Sequence, residues 1–400
     1  MSTAPTPAAP PVAPAFPEFL PFSRPTISAE AMAEVQACLA SGWITTGPRV
    51  KKFEEMLRAY CGAPHALTVT SATAGLYLVL KTLKLQPGDE VITTPMTFAA
   101  TLNVIALTGG RPVLVDVDRR TYQMDPARLA RAVTPRTRAI LPVHFAGAPV
   151  DLDPVYELAR QHGLRVLEDA AHAIGTEYKG RRLGSFGDAQ VFSFHPNKNI
   201  TTGEGGAVTC RDDALAAEIQ LLRFHGMDRE AWARFGRTGS QHYEIIAPGY
   251  KFNLTDMQAA LGLHQLPALE GFIARRTALA ARYRAALAGW NELILPGDPA
   301  YPHRHAWHLF APLVNTGAGT RLTRDEFMAA LKERNVGTGL HYRAAHLYPY
   351  YRENFGWKPG DFPNTEFISD RIVSLPLFPL LTDAQQDGVI AAMRDVFDRA

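Results

Sequence analysis

Residues Asp188–Thr209 read DAQVFSFHPNKNITTGEGGAVT. An apolar strand runs into a polar loop with a single lysine, Lys198, and a glycine-rich turn leads into a second apolar strand. Ser193 and His195 precede the lysine, and Gly203, Gly205 and Gly206 follow it. By itself such a loop is a solvated connection. Two stretches upstream change its meaning. VLEDAAHAIG (Val166–Gly175) ends an apolar strand on Asp169, and TSATAGL (Thr70–Leu76) sets small hydroxyl residues at a strand-to-helix junction.

Outward from this loop, strands and helices alternate. Residues 65–70 form a strand and Ala72–Leu83 a helix; Glu90–Thr94 forms a strand and Thr97–Leu107 a helix. Pro112–Val117, Ala139–Val143 and Leu164–Leu167 are further β-branched strands, and the helix before the last opens on Asp153–Pro154, a cap followed by proline. Ahead of them lie a helix over Thr26–Ala40 capped by Ser28 and another over Lys51–Tyr60. This alternation predicts an α/β fold with a mostly parallel sheet covered by helices, and such sheets bind ligands beyond the carboxyl ends of their strands. Thr70–Thr73, Pro95–Phe98, His144, Asp169 and Ser193–Lys198 all fall at such ends. From Asn253 a helical pattern persists for more than thirty residues, with a kink expected at Pro267. Beyond it the sequence predicts a smaller α+β domain: a strand near Trp307–Val314, a helix over Arg324–Asn335 capped by Thr323, a loop over His341–Tyr351 and a last helix from Thr382. The expected division is a Pro/Ala-rich tail over 1–20, a large domain over 21–262 and a small one over 263–400.

Composition narrows the function. The 400 residues carry a net charge of +2, which gives no broad field for nucleic acid. No apolar run approaches the roughly 20 residues of a membrane span, and six prolines in Ala4–Pro17 break any signal-peptide core. Cys38, Cys61 and Cys210 show no metal or disulfide spacing, which fits a reducing cytoplasm. His303, His305 and His308 form an H-x-H-x-x-H run without a nearby Cys or acidic ligand, so it reads as structural and no metal is expected. The glycines match neither G-x-G-x-x-G nor a P-loop, which leaves a nicotinamide oxidoreductase without its fingerprint.

A lysine amine, a strand-end carboxylate and a phosphate-sized turn, in this order, are the parts of a pyridoxal 5′-phosphate (PLP) site. The cofactor's aldehyde needs an amine that forms an imine and later moves a proton, Lys198. Its pyridine nitrogen needs an anion, Asp169, to stay protonated and withdraw electrons. Its phosphate needs donors at a helix N-terminus, the Ser71–Ala72–Thr73 turn. Its ring needs a flat partner, Phe98. Each residue also has an ordinary use, as a cap or as core, and the assignment rests on their joint order.

EDAAHAIG, GSFGDAQVFSFHPNKNITTGEGGAV and GYKFNLTDMQAALG resemble the fold type I PLP-dependent enzymes, the aspartate aminotransferase superfamily, in the branch of nucleotide-sugar aminotransferases. PVHFAGAPVDLDP and GLHYRAAHLYPYYRE are most similar to the enzymes that make UDP-4-amino-4-deoxy-L-arabinose. The resemblance spans about residue 20 to the C-terminus and implies Lys198 as the Schiff-base residue, Asp169 at the pyridine nitrogen and Phe98 on the ring. It further implies Ser71, Thr73 and Ser193 near the phosphate, and His172, where many relatives have Gln, near the ring hydroxyl. His341, Arg343 and His346 match the substrate-side loop. Asn253 is expected to reach the phosphate of a neighbouring subunit, which implies a homodimer with shared sites. The implied reaction moves an amino group from L-glutamate to the 4-keto carbon of a nucleotide sugar, UDP-4-keto-L-arabinose by preference, releasing 2-oxoglutarate. A UDP- or dTDP-linked 4-keto-6-deoxyhexose is the alternative acceptor. A non-catalytic PLP-fold regulator is the alternative of another class, and the presence of Lys198 argues against it.

Overall fold

Seven apolar strands assemble into one sheet: β1 (His65–Val69), β2 (Glu90–Thr93), β3 (Arg111–Leu114), β4 (Thr137–Ile140), β5 (Arg165–Asp169), β6 (Ala189–Ser193) and β7 (Gly206–Cys210). They are taken from a computed structural model that describes residues 14–228 and 242–400. Spatial order is β1-β7-β6-β5-β4-β2-β3, parallel except for β7, which runs against both β1 and β6. The mostly parallel sheet expected from the sequence is therefore present. The exception has a local cause. The strands β1 to β5 are joined in turn through helices and β5 reaches β6 through a small hairpin, Glu177–Tyr178 with Arg181–Arg182, whereas β6 and β7 are joined by the polar Lys198 loop, which holds neither helix nor strand.

Successive residues serve opposite faces, as the pleat requires. Val166 and Phe192 join one apolar core with Phe53, Phe194 and Leu254. Leu167 and Val191 join the other, with Leu76, Leu78 and Val208. A third core gathers Tyr283, Phe310, Phe327, Val389 and Phe397. The helix Asp256–Ala286, opened by a Thr255–Gln258 capping box, runs through Pro267 as one 31-residue element, so the expected kink does not end it. It gives Leu263, Leu269 and Ile273 to the first core and Leu279, Ala280 and Tyr283 to the third. One helix thus serves the first and the third core alike.

Several local expectations shift. The helix Leu152–His162 begins at Asp151, not Asp153; Asp151 Oδ1 instead accepts the Tyr178 hydroxyl at 2.6 Å, and Asp153 pairs with Lys179. The strand expected at Trp307–Val314 shrinks to Leu313–Val314. The end of the expected tail is docked: Ala15 and Leu20 donate their amides to the carbonyls of Arg334 and Asn335, and Leu20 is buried in the third core. The caps at Ser28 and Thr323 are formed as expected, and the last helix begins where expected, with Thr382 as its cap. No helix among the described residues is long and apolar enough to cross a membrane.

At the start of β7, Gly206 pairs with Val69 on one side and Ser193 on the other. A Cβ there would lie 2.6 Å from the Ala72 nitrogen and 2.7 Å from the Phe192 oxygen, both backbone atoms that cannot yield. Gly206→Ala should therefore lower stability by about 1–3 kcal/mol through overpacking. Gly271→Ala, in an exposed helical position with nothing within 4 Å, should raise it by about 0.5–1 kcal/mol. Urea unfolding of both variants checks the contrast; equal effects would refute the close-packed turn.

Candidate active site

The carboxyl ends of β1, β5 and β6 open on a cavity of about 530 Å³. Ser71, Ala72, Thr73, Phe98, Asp169, His172, Ser193, Lys198, His341 and Arg343 all line it. The structure thus brings together ten residues that the sequence scattered over more than 270 positions.

Lys198 sits in the turn after β6, its amide bonded to the His195 carbonyl at 2.9 Å. Burial holds its amine at about 8, well below an ordinary lysine, against the opposing pull of Asp169. Asp169 ends β5, 6 % exposed, with its backbone tied to Pro142 and His144. Its Oδ2 accepts from the Thr101 hydroxyl at 2.7 Å and its Oδ1 from the Ala171 amide at 3.1 Å. Burial pushes this carboxyl upward; the two hydrogen bonds and the Lys198 charge act in the opposite direction. A cation brought against Asp169 would add to those stabilising contacts.

Ser71 is the N-cap of the helix Ala72–Thr82, its Oγ accepting from the Ala74 amide at 3.1 Å. The cap leaves the amides of Ala72 and Thr73 without an acceptor among the described residues, which is the arrangement that receives an anion. Gly206 closes against this turn where a side chain would fill it. Amine, buried carboxylate and open helix terminus therefore fit PLP. Phe98 stands 60 % exposed at the rim, its ring 5.8 Å from that of Tyr342. His172 is buried, with Nδ1 3.2 Å from the Ala146 amide and Nε2 3.0 Å from the Tyr342 hydroxyl. His341 bonds the Ser374 hydroxyl at 2.8 Å, and burial together with Lys198 depresses it to about 4, so it is neutral at physiological pH. Arg343 is exposed, donates to the Leu347 carbonyl at 3.2 Å and lies 5.2 Å from the Tyr348 ring.

Two expected residues stand elsewhere. His346 is fully buried, packed on Phe362 and bonded to Glu366 at 2.9 Å, and does not line the cavity. It lies within the 3₁₀ turn Ala345–Leu347, apart from the His341 and Arg343 side chains that line the cavity. Asn253 does not line this cavity; it is held by Thr46 Oγ1 at 2.5 Å and Lys251 Nζ at 2.8 Å. Thr101 and Tyr342 were not singled out by the sequence; only the HYR triplet hinted at the second. The three histidines of the H-x-H-x-x-H run diverge, His305 stacking on Trp307 at 3.8 Å while His308 packs on His172 at 4.3 Å.

Fold and site together define a PLP-dependent aminotransferase of fold type I. The chain belongs to the DegT/DnrJ/EryC1/StrS aminotransferase family, whose model matches residues 25–394. It is 48% identical over 382 residues to the spore coat polysaccharide biosynthesis protein SpsC of Bacillus subtilis, covering 94% of this chain and 97% of that protein. The PLP form of a sugar aminotransferase of Streptococcus pneumoniae superimposes with a TM-score of 0.87 at 33% identity, over 95% of this chain and 99% of the other. PseC of Helicobacter pylori, an aminotransferase of pseudoaminic acid biosynthesis, gives 0.88 at 29%, over 96% and 100%. The protein is accordingly a sugar aminotransferase that uses PLP.

The depressed lysine has a measurable cost. Its proton is bound more weakly folded, at about 8, than unfolded, at 10.5. The cost is complete below pH 8 and gone above 10.5, so the cofactor-free protein should gain stability relative to Lys198→Met across that interval. The gain is at most about 3 kcal/mol, and less where cavity water reaches the amine. Urea unfolding of both proteins at pH 7.5, 9 and 10.5 measures it; parallel pH profiles would show that Lys198 titrates normally.

Proposed function

We propose that this enzyme transfers the amino group of L-glutamate to the 4-keto carbon of a nucleotide-linked sugar, with Lys198 as the cofactor-holding and proton-moving residue. The observation that carries the reading is the placement of Asp169 at the end of β5 and Lys198 in the turn after the adjacent parallel strand β6, in one cavity with the open helix terminus at Ser71–Thr73. Bound there, PLP supplies an electron-withdrawing ring that makes the substrate's C–H bond acidic. Lys198, its amine neutral in appreciable fraction near pH 8, would take that proton and hand it back across the nitrogen, at the cofactor's C4′ carbon. Asp169 holds a positive charge at the ring nitrogen, with Thr101 orienting the carboxylate. Ser71 Oγ and the Ala72 and Thr73 amides receive the phosphate, with Ser193 beside them, and Phe98 covers the ring. Arg343 at the mouth offers a two-pronged cation to a diphosphate.

A homodimer belongs to this reading. Asn253 does not line the cavity of its own protomer. Near it, Met257 donates its amide to the Ile44 carbonyl, and both leave their apolar side chains exposed, which suits contact with a second copy that would bring Asn253 to the partner's phosphate.

Within the substrate class, the pentose UDP-4-keto-L-arabinose is proposed on the likeness of the HYRAAH stretch. A UDP- or dTDP-linked 4-keto-6-deoxyhexose is the second reading, favoured by the burial of His346, which removes one residue from the pentose argument. Assembly in the cytoplasm and use of the product in lipid A or another surface polysaccharide are part of the same proposal.

Asp169→Asn keeps the shape and removes the charge, so both half-reactions should slow by about 10²-fold or more while the fold survives. Stopped-flow spectra with glutamate measure this, and near-parental rates would reduce Asp169 to a capping role. For the sugar, kcat/KM measured side by side on the two ketosugar nucleotides should differ by about 1–3 kcal/mol, the worth of one methyl group. Preference for the pentose supports the first reading, preference for the hexose the second, and activity on neither would overturn both.

A further inference from the structure

We propose that Tyr342 donates a hydrogen bond to the keto oxygen of the sugar substrate, and that His172 acts as the positioning residue that turns its hydroxyl into the cavity. The inference rests on the reading of the enzyme as a ketosugar aminotransferase and assigns a role to a residue that reading left unused.

The argument begins at a backbone amide. Ala146 N–H lies 3.2 Å from His172 Nδ1, and an amide can only donate, so Nδ1 is an acceptor. Burial, with Lys198 and His341 nearby, keeps the imidazole neutral, its proton affinity well below the ordinary value. A neutral imidazole carries one N–H, which must then be on Nε2. Nε2 lies 3.0 Å from the Tyr342 oxygen. Tyr342 therefore accepts from His172, and its own O–H is directed elsewhere. Its hydroxyl has no other partner among the described residues, and Tyr342 lines the cavity.

The surroundings hold this arrangement. Ala146 has a φ of 58°, in the left-handed region that costs a non-glycine residue about 1 kcal/mol, and the turn it makes presents the amide to His172. Gly147 beside it has a φ of 98°, and a Cβ there would meet the His172 carbonyl at 3.1 Å. The phenol ring of Tyr342 is wedged among His341 at 5.0 Å, Phe98 at 5.8 Å and Phe145 at 6.1 Å. Burial and the charge of Asp169 keep the hydroxyl protonated. The result is a fixed neutral donor in a cavity whose substrate carries a carbonyl. Polarising that carbonyl toward attack by an amine is what such a donor does.

Nitrogen-15 spectra of the histidines in the cofactor-free protein, between pH 6 and 8.5, test the orientation directly. His172 should show a protonated Nε2 and an unprotonated Nδ1 throughout; the opposite tautomer would overturn the proposal. Kinetics of the holoenzyme test the role. Tyr342→Phe should retain the cofactor's absorption band and lower kcat on the ketosugar by about 10²-fold with KM within about twofold. His172→Gln, whose carboxamide can both accept from Ala146 and donate to Tyr342, should stay within a few-fold of the parent. His172→Leu should fall to the level of Tyr342→Phe, and combining the two should cost nothing further. Multiplicative losses in the double variant would show that His172 acts independently of Tyr342 and overturn the relay. A parent that aminates no ketosugar would remove the substrate oxygen itself, and with it both this proposal and the reading beneath it, whatever the tautomer.

Discussion

The antiparallel return of β7 between β1 and β6 is the constraint on which the rest of the molecule depends. Because β7 runs against both of its neighbours, its first residue enters at the same end where β1 and β6 finish, and Gly206 sits in register with both Val69 and Ser193. Three chain segments then converge within van der Waals distance: the cap turn after β1, the exit of β6 and the entry of β7. Only a residue without a Cβ fits between them. The open helix terminus, Ser193 and the Lys198 loop are neighbours for this geometric reason.

Electrostatics follows from the same packing. The sheet is covered on both faces, so the ends of β5 and β6 carry Asp169 and Lys198 into a region of low polarity. Each charge is unfavourable there, and each is made less so by the other: the lysine is pushed down and the carboxyl pushed up by burial, while their mutual attraction resists both movements. Thr101 and the Ala171 amide supply the remaining stabilisation of the carboxylate. The site is strained electrostatically in a direction that a bound cationic ring relieves.

Much of this was legible in the sequence, and the pattern of what was not is physical. Lys198, Asp169 and Ser71 sit in stretches whose composition announces a strand end, a loop or a cap, and local rules place such residues at strand ends. Thr101 and Tyr342 carry no local mark. Their importance lies in hydrogen bonds to residues 68 and 170 positions away, which no short window contains. The burial of His346 was not legible because a loop rich in polar residues reads as exposed, yet the 3₁₀ turn that holds it sets that ring against Phe362 and Glu366. The position of β7 in the sheet was likewise hidden, since an apolar strand has the same sequence whichever way it runs.

The 31-residue helix Asp256–Ala286 supplies side chains to two cores, and Arg276 near its far end is buried with its guanidinium on the carbonyls of Trp307, His308 and Leu377. Among the described residues that guanidinium has no carboxylate beside it, and burial lowers its proton affinity to about 10. Neither core can lose this helix and keep its packing, and the helix cannot stay formed around a buried cation whose acceptors have left. The two halves of the chain therefore share one unfolding transition. What looks along the sequence like a seam between domains is thermodynamically the place where cooperativity is enforced.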